Sequence, residues 1–502
     1  MTVKDLGRRS LFDVPRAVIS SGKSLAALPL RAGLRRPGPA LWLAVFLVAA
    51  VASAAFQLVF LPYVVPSWHA GHGLLVGGDW LGYHRAAVEL AGELRERGWE
   101  AWELRPHGHA VLGITAAVYA LTVPEPWALI PLNAGLHATA ALVLFRLLEI
   151  FVSDRRAALA GVAPFALYPS AMTWYAQVLK DGYAVLGYLL FVYGWALLVA
   201  PRTWEAGWGW RLRSVLAIAA GTMLNWVVRP HIVTLMLAAA LGPAVLGTIV
   251  SGWRAWRGRW HLRRALVAAA LIWVAVGLIA VLSPVAHRSG AVTRQEMSAA
   301  LEPAPRVAGR PPGRTAALGE RASWPLSSRS EIAVEEALAA LDTAVSRLGV
   351  VRVGYVLTYP DAGSNVDVDR RIAGMRDLLT YLPRAAAIAF LAPFPSAWFT
   401  ASRLEPNTTA RRLAGFEMIG VYLGLGGLLY GIARWRARAE LYAVLLICGT
   451  LPVIYTVLVP NVGALYRLRY GFLMTLVGLG VAAAVVAWNE RRVSYRPHPL
   501  PR

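Results

Sequence analysis

Cysteine is nearly missing from this 502-residue chain. Cys448 stands alone inside an apolar run, so no disulfide framework holds the fold. Charge is scarce as well: Asp, Glu, Lys and Arg make up 16% of the residues, against about 25% in soluble domains. Lysine is rarer still, at three copies, and nearly all the basic charge is arginine. So little charge beside 57% hydrophobic residues and a mean hydropathy of +0.51 excludes a soluble enzyme. No internal repeat is visible, which argues against a transporter built of two related halves.

What is present is long apolar runs and a net charge of +22. The basic residues lie in short clusters between those runs, as in the cytoplasmic loops of an integral membrane protein. No nucleic-acid partner is therefore expected, and membrane lipids are. Crossing the hydrocarbon core takes roughly 20 apolar residues. Runs of that length occur at 40–65, 127–151, 157–175, 182–200, 213–229, 231–251, 265–283, 411–433, 440–459 and 471–489. Two shorter runs, 109–123 and 384–400, are flanked or interrupted by Pro106, Pro124, Pro383, Pro393 and Pro395, and read as half-inserted or membrane-parallel segments.

Arginine placement tests that choice. With neither short run crossing, the basic N-terminal segment 1–39, Arg155-Arg156, the stretch 201–213, the five arginines of 252–264, Arg434 to Arg438 and the tail 490–502 all fall on one side. Letting 109–123 cross alone scatters them. The expected fold is an all-α polytopic membrane protein with about ten spans. Both termini are cytoplasmic, a transmembrane module covers 40–283, and C-terminal helices cover 411–489. Two large regions lie on the outer face, a first loop at 66–126 and a second region at 284–410. A short strand is predicted at 350–358.

Several polar groups gather at that outer face against the charge bias. Stranding a charge in lipid costs several kcal/mol, so each invites a functional reading. Asp79 follows a glycine pair and precedes an amphipathic helix near 83–97 that carries Tyr83 and His84. A helix cap and a catalytic base at the water–lipid boundary are both open for it. Gln177, Lys180 and Asp181 lie at helical offsets after Pro169, as either an ion pair at a helix end or an anion site. Arg229 and His231 occupy a short outer turn, and Arg467 and Arg469 another. Guanidinium forks match phosphate oxygens, although anchoring at the interface also suits arginine beside Tyr and Trp. His107 and His109 have H-x-H spacing, a weak metal signal. His137 and Glu417 read as groups that hydrogen-bond between helices.

Asp79 with Tyr83 four residues on, the order Arg155-Arg156, Pro169, Asp181, and the late Arg467-Leu468-Arg469 with Pro393-Phe394-Pro395 together resemble the GT-C superfamily of polyprenyl-phosphate-dependent glycosyltransferases, in its bacterial, protein-O-mannosyltransferase-like branch. The likeness covers about the first 230 residues and the rest in outline.

The resemblance implies membrane-parallel helices in the first outer loop and transfer of a sugar from a polyprenyl phosphate or diphosphate to a lipid, glycan or protein acceptor. It implies Asp79 as base, Asp181 as a second catalytic acid, and Lys180, Arg229, Arg467 and Arg469 as phosphate clamps. Tyr83, His84, Gln177, His107, His109 and His231 then fall to substrate binding. Trp80 stands where the family commonly has a second acid, so a divalent metal is possible but doubtful there, and no cofactor is certain. A polysaccharide polymerase or O-antigen ligase is the rival enzyme. A lipid-linked sugar flippase is the non-enzymatic one, and it would keep its polar groups at mid-bilayer.

Overall fold

The computed structural model describes residues 38–283, 329–360, 362–402 and 405–494. The basic segment before 38, the stretch 284–328 of the second outer region and the tail after 494 lie outside the described residues. The described residues from 41 onward belong to one compact unit.

Among the described residues the chain is helical, with isolated antiparallel bridges at His69–Leu75 and Asn365–Asn461. Eight of the described helices are long and apolar enough to cross a membrane, namely those at 38–64, 126–151, 181–199, 230–256, 262–282, 405–435, 439–458 and 470–492. The full helix order begins with α1 (Gly38–Ala55), which runs on as a π-helix to Val64. After it come α2 (Asp79–Arg97), α3 (Ala110–Leu121), α4 (Ile130–Phe151), α5 (Arg155–Ala166), α6 (Pro169–Tyr175), α7 (Asp181–Val199), α8 (Pro201–Ala206) and α9 (Trp208–Val228). The second half holds α10 (Pro230–Trp256), α11 (Leu262–Leu282), α12 (Arg329–Thr358), α13 (Met375–Leu391), α14 (Glu405–Trp435), α15 (Ala439–Leu458), α16 (Val462–Leu468) and α17 (Tyr470–Ser494).

Two of the ten expected spans take another form. The run 157–175 is split into α5 and α6, because Pro169 supplies no amide hydrogen and starts a new helix at its N1 position. The run 213–229 does form α9, but that helix starts at Trp208 and carries Arg211 and Arg213 in its first turns. The strand expected at 350–358 is a further correction: those residues close α12, a continuous 30-residue helix. Alternating β-branched residues there lost to the helical pattern running into them.

Of the two short runs, 109–123 holds α3, and 384–400 begins inside α13. At 12 residues α3 rises about 18 Å, short of a hydrocarbon core of roughly 30 Å. It packs on α2 through Ala87, Ala91, Val111 and Tyr119, forming a small core of its own in the first loop. The 17 residues of α13 rise about 26 Å and pack against α15.

At the centre of the bundle is α7, apolar all round and buried along most of its length. It approaches α9 closely because both carry glycine at the crossing: a Cβ on Gly221 would lie 2.5 Å from the Gly187 carbonyl.

The arginine clusters meet at one end of the bundle. Arg438 donates to the Ile150 carbonyl at 2.8 Å, Arg434 pairs with Glu490 at 3.2 Å, and Asn489 donates to Asp154 at 3.0 Å. Arg254 reaches Glu205 at 3.4 Å, and Arg438 lies within electrostatic reach of Arg202. The loops that the charge rule groups together are thus neighbours in space.

Candidate functional site

Three chain breaks bring charge together at the opposite end. The turn after α6 ends at Lys180, and α7 opens with Asp181 in its first turn, where free amide groups favour a carboxylate. Arg229 sits between α9 and α10 with an extended backbone, since Pro230 at N1 interrupts the helix there. Arg467 lies in the last turn of α16, a short helix capped by the Asn461 side chain, which accepts from the Ala464 amide at 2.9 Å.

These breaks make Asp181 the hub of an ion-pair group. Its carboxylate is buried, accepts from Arg229 at 2.6 Å and stands 3.6 Å from Arg467. Arg229 is buried beside the Tyr188–Tyr455 hydroxyl pair, whose oxygens are 2.9 Å apart. Lys180 adds a third cation. Its ammonium is held below the usual lysine range by burial and by the neighbouring Arg229, and it lies 6.0 Å from the Tyr83 ring. One buried acid therefore faces three cations, an excess that suits an anion. Asp181, Arg467, Trp174, Tyr175 and Tyr470 line a narrow space at the base of the group.

Asp79 differs from Asp181 in every respect. It is the first residue of α2, its N-cap is Gly78, and its exposed carboxylate makes no capping bond. No hydrogen bond or ion pair engages it among the described residues. Its charge nevertheless acts on Tyr83, Lys180 and Tyr355, and Arg467 acts on the same three groups. The Tyr83 phenol is pushed above the usual tyrosine range by burial and then by Asp79. Burial pushes Tyr355, on α12, up to about 12. Asp79 and Arg467 border one region.

The other residues singled out from the sequence divide. His109 belongs to the region: its ring lies 5.6 Å from that of Tyr83, and burial followed by the Lys180 charge lowers its pKa. His231 opens α10 beside Arg229, within electrostatic reach of Lys180. His107 is exposed, in a left-handed backbone conformation at φ 52°.

His84 turns away into the first-loop core and meets the Tyr119 hydroxyl at 3.0 Å, with the His72 ring 5.1 Å off. Gln177 is buried and ties two loops together: its side-chain oxygen accepts from the Leu75 amide at 3.1 Å, and its amide donates to Gly73 at 3.4 Å. It positions the loop that leads to Asp79. Arg469 is the main departure. Buried, it donates to the carbonyls of Ile388 at 2.8 Å and Ala389 at 2.7 Å, and to that of Ala392. The guanidinium sits at the end of α13, where the last carbonyls run out of helical amide partners, although Ile388 also accepts from the Ala392 amide at 3.3 Å, so Arg469 caps a helix.

Sequence reasoning missed Tyr188, Tyr455 and Tyr355, aromatic residues with no local signal inside apolar or helical stretches. It also missed Arg105, which stacks on Trp226 at 4.0 Å and donates to the Val227 carbonyl at 3.1 Å. That contact fastens the first loop to the turn bearing Arg229. Among the described residues no group of three or more His, Cys, Asp or Glu could hold a metal ion.

Set against family models, curated proteins and solved structures, the chain matches none of them. The function has to be argued from the site.

Proposed function

We propose that this chain is a membrane glycosyltransferase of the GT-C type. It passes a sugar from a polyprenyl-phosphate or -diphosphate carrier to a lipid, glycan or protein acceptor at the outer face of a cell's plasma membrane. The observation that carries the reading is the pairing of an exposed, unengaged carboxylate with a group of cations in excess: Asp79 against Lys180, Arg229 and Arg467 around Asp181. With the arginine-rich end in the cytoplasm by the charge rule, this site faces outward.

The chemistry follows from the charges. Asp79 takes the proton of the acceptor hydroxyl as its oxygen bonds to the sugar's anomeric carbon. The bond from that carbon to the carrier phosphate breaks on the opposite face, with inversion. The phosphate leaves with an added negative charge, which Arg467 and Lys180 stabilise in place. Arginine does so without exchanging protons at any working pH. Asp181 is a positioning residue here: it fixes Arg229 and one side of Arg467, leaving the remaining guanidinium donors for phosphate. Tyr83 and His109, beside Asp79 and Lys180, fall to the sugar or acceptor.

The test is consumption of a polyprenyl-phosphate sugar by the purified chain in detergent, with and without acceptor. Acceptor-dependent release of the carrier phosphate supports the reading. A lipid-linked sugar that stays uncleaved both with and without acceptor overturns it.

A further inference from the structure

Glu417 is a charge in the wrong place. It lies 18 residues before Trp435 on α14, about 27 Å along the helix axis, and the 16 residues that follow it, up to Arg434, carry no charge. Its carboxylate is used only as an acceptor. Oε1 accepts from the Ser170 amide at 2.6 Å, while Oε2 accepts from the Ser170 hydroxyl at 2.6 Å and the Tyr466 hydroxyl at 2.8 Å. Three donors stabilise an ionised carboxylate, yet no cation pairs with it among the described residues. Arg469, whose guanidinium lies 5.3 Å from the Tyr466 ring, is spent on carbonyls.

This carboxylate borders a groove of about 690 Å³ between α5, α14 and α17. Besides Glu417 and Tyr168 the walls are apolar, among them Leu167, Val477, Val481 and Trp488. Met474 and Trp488 are 14 residues apart on α17, about 21 Å, the reach of a long hydrocarbon chain. Trp174 stands edge-on to Tyr466 and Tyr470, at 6.0 and 5.7 Å, between the groove and the Asp181 group. An anionic head would meet like charge at Glu417. A lipid with an ammonium head supplies both the missing cation and an N–H donor for the carboxylate.

We propose that this groove is a binding site for a lipid carrying a primary ammonium headgroup, whose chain lies along α17 and whose ammonium pairs with Glu417. The site is separate from the transfer centre, so its test needs no sugar donor and stands or falls independently of that reading.

The experiment is native mass spectrometry of the full-length protein in detergent, with dioleoyl phosphatidylethanolamine and dioleoyl phosphatidylglycerol offered in equal amounts. The expected result is at least fivefold preferential retention of the ethanolamine lipid, falling to no preference in Glu417→Gln. A second variant covers the case in which Glu417→Gln fails to fold. Gly420 borders the groove and a Cβ there meets open space, so Gly420→Leu fills the groove and leaves Glu417 intact. It is expected to lower retention of the ethanolamine lipid at least threefold. Equal retention of the two lipids by the wild type, unchanged preference in Glu417→Gln, or unchanged retention of the ethanolamine lipid in Gly420→Leu, overturns the proposal.

Discussion

Arg229 donates to the Asp181 carboxylate at 2.6 Å, and each side chain is 8% exposed. A pair so far removed from water holds together because each partner compensates the other. Removing one leaves an uncompensated charge, at a cost of about 3–5 kcal/mol. Asp181→Asn is therefore expected to lower the denaturation midpoint substantially in detergent. Asp79→Asn, at an exposed and unengaged carboxylate, is expected to stay within about 0.5 kcal/mol of wild type. Equal stability of the two variants would contradict the different roles assigned to the two acids.

Arg467 and Arg469 are two residues apart and do opposite work. Arg467→Ala is expected to weaken binding of a short-chain polyprenyl phosphate at least tenfold, measured by calorimetry, with little change in stability. Arg469→Ala removes the charged hydrogen bonds to the Ile388, Ala389 and Ala392 carbonyls at the end of α13, each lost bond costing about 1.5–3 kcal/mol. It is expected to destabilise the protein while the folded fraction keeps its phosphate affinity. The reverse pattern would exchange their roles.

Lys180 sheds its proton below the ordinary lysine range because burial and Arg229 disfavour its charge. Below that lowered pKa the ammonium is present and contributes to anion binding, and as pH rises through it the contribution is lost. A phosphomonoester completes its own second ionisation near pH ~6, so the affinity for polyprenyl phosphate is expected to fall on the alkaline side before pH 10.5, the usual lysine value. Lys180→Arg should remove that fall. An alkaline limb that persists in Lys180→Arg would assign it to another group.

Much of the architecture is legible in the sequence because bilayer thickness acts on length alone. The arginine clusters at 155–156, 202–213, 254–264 and 434–438 marked one end, and their contacts around Arg438, Glu490 and Asp154 bear that grouping out. What failed was local. Hydropathy ran straight over Leu167, because Pro169 changes backbone geometry and not polarity. Alternation at 350–358 suggested a strand because short windows of Val and Tyr do not distinguish a strand from a helix end.

At the site, Asp181, Arg229 and Arg467 stood out as charges on the unexpected side. Arg469 stood out for the same reason, and only its partners at Ile388 and Ala389 reveal a structural use. Tyr188 and Tyr455 left no trace, since aromatic residues in apolar spans are unremarkable until something polar touches them.

The most direct test of the transfer mechanism is the turnover of Asp79→Asn on a polyprenyl-phosphate sugar with its acceptor, alongside donor affinity in the same preparation. Loss of a positioned base is worth about 10²–10⁴-fold in rate. The expected result is a fall of that size with donor affinity unchanged. Turnover near the wild-type value in the folded variant would contradict the account.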